Sequence, residues 1–193
     1  RRIPSEPAAV GELSVRPLTQ PEVSTIQPPI PYSYWVLPGQ LLAGEYPRTL
    51  DEASSRAKLA ALRRAGITAF IDLTHPADGL LPYAHLLEGA THHPFPIRDG
   101  SVPHTPALTT AILDTIDAHL AAGETVYVHC WGGVGRTGVI IGCWLARHGY
   151  PGAAALARLR ALWATCPKSA CKASPETPEQ ERYILTYTGP PSP

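Results

Sequence analysis

The fold of this chain is decided by one stretch, Thr125-Val126-Tyr127-Val128-His129-Cys130-Trp131-Gly132-Gly133-Val134-Gly135-Arg136-Thr137-Gly138. Its first four residues are β-branched or aromatic, which predicts a short buried β-strand. The apolar run 139–146 ends shortly before Gly149 and Pro151, which predicts a buried helix and its stop. A cysteine therefore opens a glycine-rich loop between a strand and a helix, and Arg136 closes that loop six positions later.

The loop has the composition of an oxyanion cradle. Its glycines let successive backbone N–H groups turn toward one point. The helix that begins near Arg136 directs its free N–H groups and its dipole to the same point. The planar guanidinium of Arg136 suits bidentate contact with two phosphate oxygens. We therefore expect phosphate to be bound by Trp131, Gly132, Gly133, Val134, Gly135 and Arg136.

Cys130 lies at the base of this positive field, which favours the thiolate, the nucleophilic form of cysteine. We expect the hydroxyl of Thr137 to bond to the sulfur and help it leave. His129 is expected to orient the loop through backbone hydrogen bonds, without acting as an acid or base. A cysteine at a strand end is commonly an inert buried thiol. The joint occurrence of strand, glycines, Arg-Thr-Gly and helix nevertheless favours a catalytic loop.

Residues 129–137 resemble the His-Cys-x5-Arg-Ser/Thr signature of the cysteine-dependent protein tyrosine and dual-specificity phosphatases. The resemblance implies a two-step reaction in which the thiolate attacks phosphorus and water then hydrolyses a phosphocysteine, with no metal or other cofactor. It also implies a general acid, an aspartate about thirty residues before the cysteine. The resemblance extends over about residues 34–187, but only the Cys130 loop is specific.

Asp99 is the candidate for this acid. It follows a strand-like run, lies in the loop Arg98-Asp99-Gly100, and stands 31 positions before Cys130. An aspartate before glycine also initiates ordinary turns, which is the alternative explanation. Asp72 and Asp78 are rival acids, but both lie farther upstream than the family pattern allows.

Gln180 is the candidate for a third element implied by the resemblance, a glutamine that places the hydrolytic water. The match is partial, because the first glutamine of the fuller two-glutamine version is replaced here by Glu176. The same segment is also a capped helix start, with Thr177 as N-cap, Pro178 at the first position and Gln180 completing a capping box.

The remaining pattern predicts a single compact α/β domain, with a mostly parallel central sheet flanked by helices. We expect a Pro-rich N-terminal arm over residues 1–31, the phosphatase domain over 32–189 and a tail over 190–193. The predicted strands are 34–37, 41–43, 67–73, 92–97 and 125–128. The predicted helices are 49–65, 81–87, 105–122, 139–146 and 153–164, and a further helix begins at 178.

Composition narrows the class of protein. The chain has 193 residues, 44% of them apolar, and a formal net charge of zero, so no global field favours nucleic acid or an anionic membrane. No stretch is long and apolar enough to span a bilayer. A catalytic Cys130 must stay reduced, which favours a cytoplasmic setting.

The other cysteines and histidines have simpler explanations. Cys143 falls in the apolar helix and is expected to be a packing residue. Cys166 and Cys171 are expected to be free thiols, with a disulfide or half of a metal site as the alternative. His92 and His93 alternate faces in a predicted strand and cannot both face one ion, so no metal site is predicted.

Substrate class is the least specific inference. The loop has no lysine between Cys130 and Arg136, which disfavours a highly anionic phosphoinositide. We expect a phosphorylated protein, with phosphotyrosine and also phosphoserine or phosphothreonine accepted. The alternatives are a phosphoinositide phosphatase, a phosphate-recognising regulatory module with little turnover, and a sulfur-transfer or arsenate-reducing enzyme.

Overall fold

The structure is a computed structural model that describes residues 26–190. Its strands are β1 (Ser33–Leu37), β2 (Leu41–Gly44), β3 (Ile67–Asp72), β4 (Thr91–Pro94) and β5 (Thr125–His129). They form one sheet in the order β1-β2-β5-β3-β4. The β1–β2 pair is antiparallel and every other pair is parallel, which confirms the predicted mostly parallel sheet.

Five α-helices flank the sheet: α1 (Glu52–Arg64), α2 (Pro106–Ala121), α3 (Gly135–Arg147), α4 (Ala153–Trp163) and α5 (Pro178–Leu185). Three short 3-10 turns complete the described chain, at Pro76–Asp78, Ala84–Leu86 and Pro167–Ala170. Among residues 26–190, no helix combines the length and apolarity needed to cross a membrane.

The sheet has one core on each face, because side chains alternate along a strand. In β5, Val126 and Val128 pack into the larger core, whereas Tyr127 packs into the smaller one. Helix α1 covers the smaller core with Leu59 and Leu62. Helices α2 to α5 close the larger core, and α3 lies at its centre, with every residue from 135 to 145 buried.

Two predicted elements are shorter than expected. The predicted helix 81–87 is only the 3-10 turn Ala84–Leu86, because the carbonyls of Leu81 and Pro82 accept hydrogen bonds from Tyr46 (2.9 Å) and Arg48 (2.5 Å). The predicted strand 92–97 is β4, which ends at Pro94. Prolines at 94 and 96 cannot donate to a strand ladder, which suits the edge position of β4.

The packed domain begins slightly before the predicted boundary at residue 32. Most of the predicted arm 1–31, residues 1–25, lies outside the described residues, as do residues 191–193 of the predicted tail. Ile30, assigned to the arm from its surrounding prolines, is 4% exposed and packs in the smaller core. The packed domain therefore includes Ile30.

Candidate active site

The candidate site is built where four strands end side by side. Gly44, the last residue of β2, pairs with His129 of β5, which pairs with Asp72 of β3, which pairs with Pro94 of β4. The loops that follow these strands therefore leave the sheet at one carboxyl edge, the edge at which open α/β sheets bind ligands. Cys130 begins the loop that follows β5.

The carbonyl groups of the Cys130 loop are held by donors that lie around it. The His129 and Trp131 carbonyls accept from the backbone N–H groups of Leu73 and Tyr46, both at 2.9 Å. Side chains contact three further carbonyls. His129 Nδ1 lies 3.3 Å from the Cys130 carbonyl oxygen, Lys168 Nζ donates to that of Gly132 at 2.9 Å, and Ser174 Oγ donates to that of Val134 at 2.8 Å. Within residues 26–190, the N–H groups from Trp131 to Val134 donate to no other part of the chain. This is the arrangement of an anion-binding nest.

Gly133 shows why the loop needs glycine. Its φ is +73°, and a Cβ built on it would overlap the backbone of Gly44 at the end of β2. Any other residue would clash there and would also adopt an unfavourable backbone conformation. The loop can therefore lie directly against the end of β2 only with glycine at this position.

Arg136 is fixed by one edge of its guanidinium. The side chain is 1% exposed, and Nη1 donates to Asp78 Oδ2 at 2.6 Å and to the Ile97 carbonyl at 2.9 Å. Nε and Nη2 make no hydrogen bond within the described residues, although Nη2 lies 3.0 Å from Asp99 Oδ1. Burial opposes the charge of Arg136, but Cys130, Asp78 and Asp99 outweigh it and raise the pKa of the guanidinium. The Nε/Nη2 edge, which Asp99 contacts through Nη2, has the geometry that suits two oxygens of an anion.

The three candidate acids occupy different environments. Asp99 is 64% exposed and lines the cavity that contains Cys130. Asp78 is 5% exposed and its Oδ2 is shared between Arg136 and the His75 N–H (3.1 Å). Burial alone would raise the pKa of Asp72, but the charge of His129 and hydrogen bonds from His92 and Thr74 lower it to about 2.

His129 is fully buried beneath the loop. Its Nε2 is 2.6 Å from the Tyr83 hydroxyl and its Nδ1 is 3.3 Å from the Cys130 carbonyl. Burial lowers the pKa of the imidazole to about 4, although Asp72 acts in the opposite direction. The ring is therefore neutral at pH 7 and contacts the backbone carbonyl of Cys130.

Gln180 and Thr137 are both buried at the base of the loop. Gln180 packs against Gly135 and completes the predicted capping box. Its Oε1 accepts from the N–H groups of Glu176 and Thr177, and its Nε2 donates to the Ser101 carbonyl at 3.0 Å, which ties α5 to the Asp99 loop. The Thr137 hydroxyl has no partner within the described residues.

The cavity above Cys130 has a volume of about 290 Å³. Trp131 stands at its rim with about half of its surface exposed. The lining residues are Asp99, Cys130, Trp131, Gly132, Val134, Gly135, Lys172 and Glu176. Four of the six predicted phosphate-binding residues, Trp131, Gly132, Val134 and Gly135, thus line the cavity. Gly133 packs against Gly44 instead, and the guanidinium of Arg136 is buried and bonded to Asp78 and the Ile97 carbonyl.

The other cysteines and the two histidines of β4 do not line the cavity above Cys130. All four cysteines are unpaired thiols, of which only Cys171 is exposed. Burial raises the pKa of Cys143, as fits a packing residue. His92 contacts Asp72, whereas His93 contacts His119. In the described part of the chain, no group of three or more potential ligand side chains could hold a metal ion.

Four residues of the site make contacts that carry no signal in the sequence. Lys168 and Ser174 hold loop carbonyls, and Lys172 lines the cavity. Asp78 was a rival acid, and its contact with Arg136 spans 58 residues. No periodicity or motif marks such contacts, because they arise only when the strands align.

Comparison with known proteins places this geometry in a family. A 30% identical segment of 121 residues is found in the dual specificity protein phosphatase CDC14AB of Danio rerio, over 59% of this chain and 19% of that protein. The matched segments span only 19% to 56% of the curated relatives' lengths.

Solved structures share the fold. Tk-PTP in its active form aligns with a TM-score of 0.63 and 23% identity, over 80% of this chain and 94% of that one. A kinase associated phosphatase with serine in place of its catalytic-site cysteine aligns with a TM-score of 0.64 and 19% identity, over 75% of this chain and 83% of that one. A family model described as "Swiss Army Knife protein, DSP-PTPase phosphatase domain" matches residues 31–184. The chain therefore belongs to this PTP-SAK family of dual-specificity and tyrosine phosphatase domains.

Proposed function

We propose that the protein hydrolyses phosphomonoesters on phosphorylated proteins, through a phosphocysteine intermediate. One observation carries the proposal: Arg136 is anchored through Nη1, and its Nε/Nη2 edge, where only the exposed Asp99 carboxylate contacts Nη2 among the described residues, lies next to a loop whose N–H groups from Trp131 to Val134 are unbonded. These are the donors that a phosphoryl group with three oxygens requires, and they are held in place before it binds.

In the first step, the Cys130 thiolate attacks phosphorus while the bond from phosphorus to the ester oxygen breaks. The loop N–H groups and Arg136 hold the three remaining oxygens. Asp99, the exposed carboxyl group on the cavity wall, gives its proton to the leaving oxygen. A positioned acid of this kind typically contributes about 10²–10⁴-fold in rate. Asp78 and Asp72 are poorly placed for this task, because hydrogen bonds already occupy their carboxylates.

In the second step, water attacks the phosphocysteine and the sulfur leaves as thiolate. Asp99, now ionised, takes the proton of the water. We assign Gln180 to the placing of that water, since one of its two Nε2 hydrogens is used by Ser101 and the other has no partner among the described residues. Thr137 has an unpartnered buried hydroxyl and is assigned to stabilise the sulfur as it leaves.

The substrate class is proposed from the cavity rim. The indole of Trp131 is about half exposed there and offers an aromatic surface to a phosphotyrosine ring. Lys172 is the only cation among the lining residues, and it is paired with Glu176 at 3.1 Å. This rim favours a singly phosphorylated side chain over a polyanionic inositol headgroup. Because the proposed mechanism needs Cys130 reduced, we propose that the protein works in a reducing compartment, the cytoplasm.

A substrate panel tests this proposal. Wild type and Cys130→Ser are assayed in EDTA against an aryl phosphate, phosphotyrosine, phosphoserine and phosphothreonine peptides, and a soluble phosphoinositide. We expect wild type to hydrolyse the aryl phosphate and the phosphotyrosine peptide fastest, and Cys130→Ser to lose turnover while it still binds tungstate.

Each other outcome identifies an alternative. Preferred hydrolysis of the phosphoinositide would support the lipid phosphatase. Tungstate binding by wild type without turnover would support the regulatory module. Turnover retained by Cys130→Ser would mean that another group is the nucleophile.

A further inference from the structure

We propose that Lys168 is a positioning residue of the oxyanion cradle, because its ammonium group holds the Gly132 carbonyl outside the loop. The inference rests on the proposed function, since it assumes that the Cys130 loop binds an oxyanion. Lys168 lies in the 3-10 turn Pro167–Ala170, 36 residues after Gly132 and outside the signature.

Three groups surround the Lys168 ammonium. Nζ is 2.9 Å from the Gly132 carbonyl oxygen, 2.9 Å from Glu45 Oε2 and 4.6 Å from the centre of the Tyr32 ring. The side chain is only 22% exposed. An ammonium group has three donors and no acceptor, so this site directs one of them at the loop.

Glu45 fixes the position of Lys168 from the neighbouring strand end. Its Oε2 accepts from Lys168, and its Oε1 accepts from Lys58 at 2.5 Å. Lys58 also donates to the Tyr46 carbonyl at 2.9 Å. Two lysines thus share one carboxylate, which leaves one net positive charge next to the loop.

The consequence for the loop follows from peptide geometry. In a planar trans peptide the C=O and the next N–H point in opposite directions. Holding the Gly132 carbonyl toward Lys168 therefore turns the Gly133 N–H away from Lys168. Within residues 26–190, Lys168 is the only charged side chain that bonds to a carbonyl of residues 129–134. Its loss would free this peptide to rotate and remove a positive charge beside the cradle.

Oxyanion affinity provides the test. Tungstate binding is measured by calorimetry for wild type, Lys168→Met, Lys168→Arg and the matched control Lys58→Met. Lys58→Met removes the other partner of Glu45 but no loop contact. We expect Lys168→Met to weaken tungstate binding about tenfold, as for a lost hydrogen bond from a charged donor. We expect Lys168→Arg to restore affinity within about threefold, and Lys58→Met to change it by less than about twofold.

The outcomes separate this inference from the proposed function. Unchanged tungstate affinity in a folded Lys168→Met protein would overturn the positioning role, and so would an equal loss in Lys58→Met. If Lys168→Met does not fold, Lys168→Gln is measured in its place under the same criteria. Absence of phosphatase turnover in a wild type that binds tungstate would overturn the proposed function and leave the role of Lys168 intact.

Discussion

At the scale of single residues, Arg136 divides its guanidinium between two tasks. Nη1 is fixed by Asp78 and by the Ile97 carbonyl, whereas Nε and Nη2 make no hydrogen bond within the described residues. Asp99 Oδ1 is in direct contact with Nη2, at 3.0 Å, on the edge that we propose binds an anion. Under the proposed function, the two aspartates therefore act on the same arginine in opposite ways, because Asp78 holds it in position and Asp99 competes with the ligand.

The substitution Asp99→Asn tests the proton donor. We expect turnover of an aryl phosphate to fall about 10²-fold or more, and the basic limb of the pH–rate profile to flatten, because that limb reports deprotonation of the acid. Tungstate affinity should stay the same or rise a few-fold, because Arg136 loses a competing carboxylate. Kinetics from pH 5 to 8 and calorimetry measure both effects. A basic limb that persists in Asp99→Asn would contradict the assignment.

Asp78→Asn is the matched substitution at the other end of Arg136. An asparagine oxygen can still accept from Nη1, but the charge that holds the buried guanidinium is gone. We expect tungstate affinity and kcat/KM to fall about tenfold or more, since breaking a buried charge pair is costly. The basic limb of the pH profile should remain. If Asp78→Asn flattened that limb and Asp99→Asn did not, Asp78 would be the acid.

At the scale of elements, α3 reaches the site because one of its faces carries glycines. Gly135, Gly138 and Gly142 lie on the side that meets α5 and the segment before it. A Cβ on Gly135 would press on Gln180, one on Gly138 would overlap Ser174 Oγ, and one on Gly142 would overlap the end of Ile184. The close approach lets Ser174 reach the Val134 carbonyl and lets Gln180 reach Ser101.

Gly142→Ala tests this close packing away from the cavity. The added methyl group must displace Ile184, which is fully buried, and overpacking of this kind costs about 1–3 kcal/mol. We expect the free energy of unfolding in urea to fall by that amount, with little change in kcat. Ile184→Val removes the nearest atom, so the double variant should recover part of the loss. Strictly additive effects would contradict a direct clash.

Sequence patterns predicted the central elements well and the peripheral ones less well, for a physical reason. The β5–loop–α3 unit and the α5 capping box depend on neighbours in sequence, so the strand 125–128, a helix start near Arg136 and the capping box at 177–180 were predicted correctly, although the apolar run 139–146 covers only the later part of α3. The helix predicted over 81–87 was wrong because carbonyls of this segment accept hydrogen bonds from Tyr46 and Arg48, more than 30 residues away.

At the scale of the whole molecule, the site depends on contacts that no local pattern encodes. Asp78 reaches Arg136 across 58 residues, and Lys168 reaches Glu45 across 123. The sequence indicated the proposed nucleophile, the arginine and a proposed proton donor at the family spacing, because these belong to the resemblance. The residues that hold them in place became visible only once the parallel strands had brought their carboxyl ends together.

The stability of the whole domain should depend on pH through His129. Burial lowers its pKa from 6.5 to about 4, so between these values the unfolded chain binds a proton that the folded chain does not. Stability therefore falls as pH decreases through this window, by about 2 kcal/mol between pH 7 and pH 5. Asp72, with its pKa lowered to about 2, adds a loss of stability only at lower pH.

The melting temperature of wild type should drop by several degrees from pH 7 to pH 5, and His129→Gln, which can still bond to Tyr83, should show a smaller drop. The control His93→Gln removes a less buried imidazole whose pKa is also lowered, and should change the drop less. An equal drop in wild type and His129→Gln would show that another group governs acid stability.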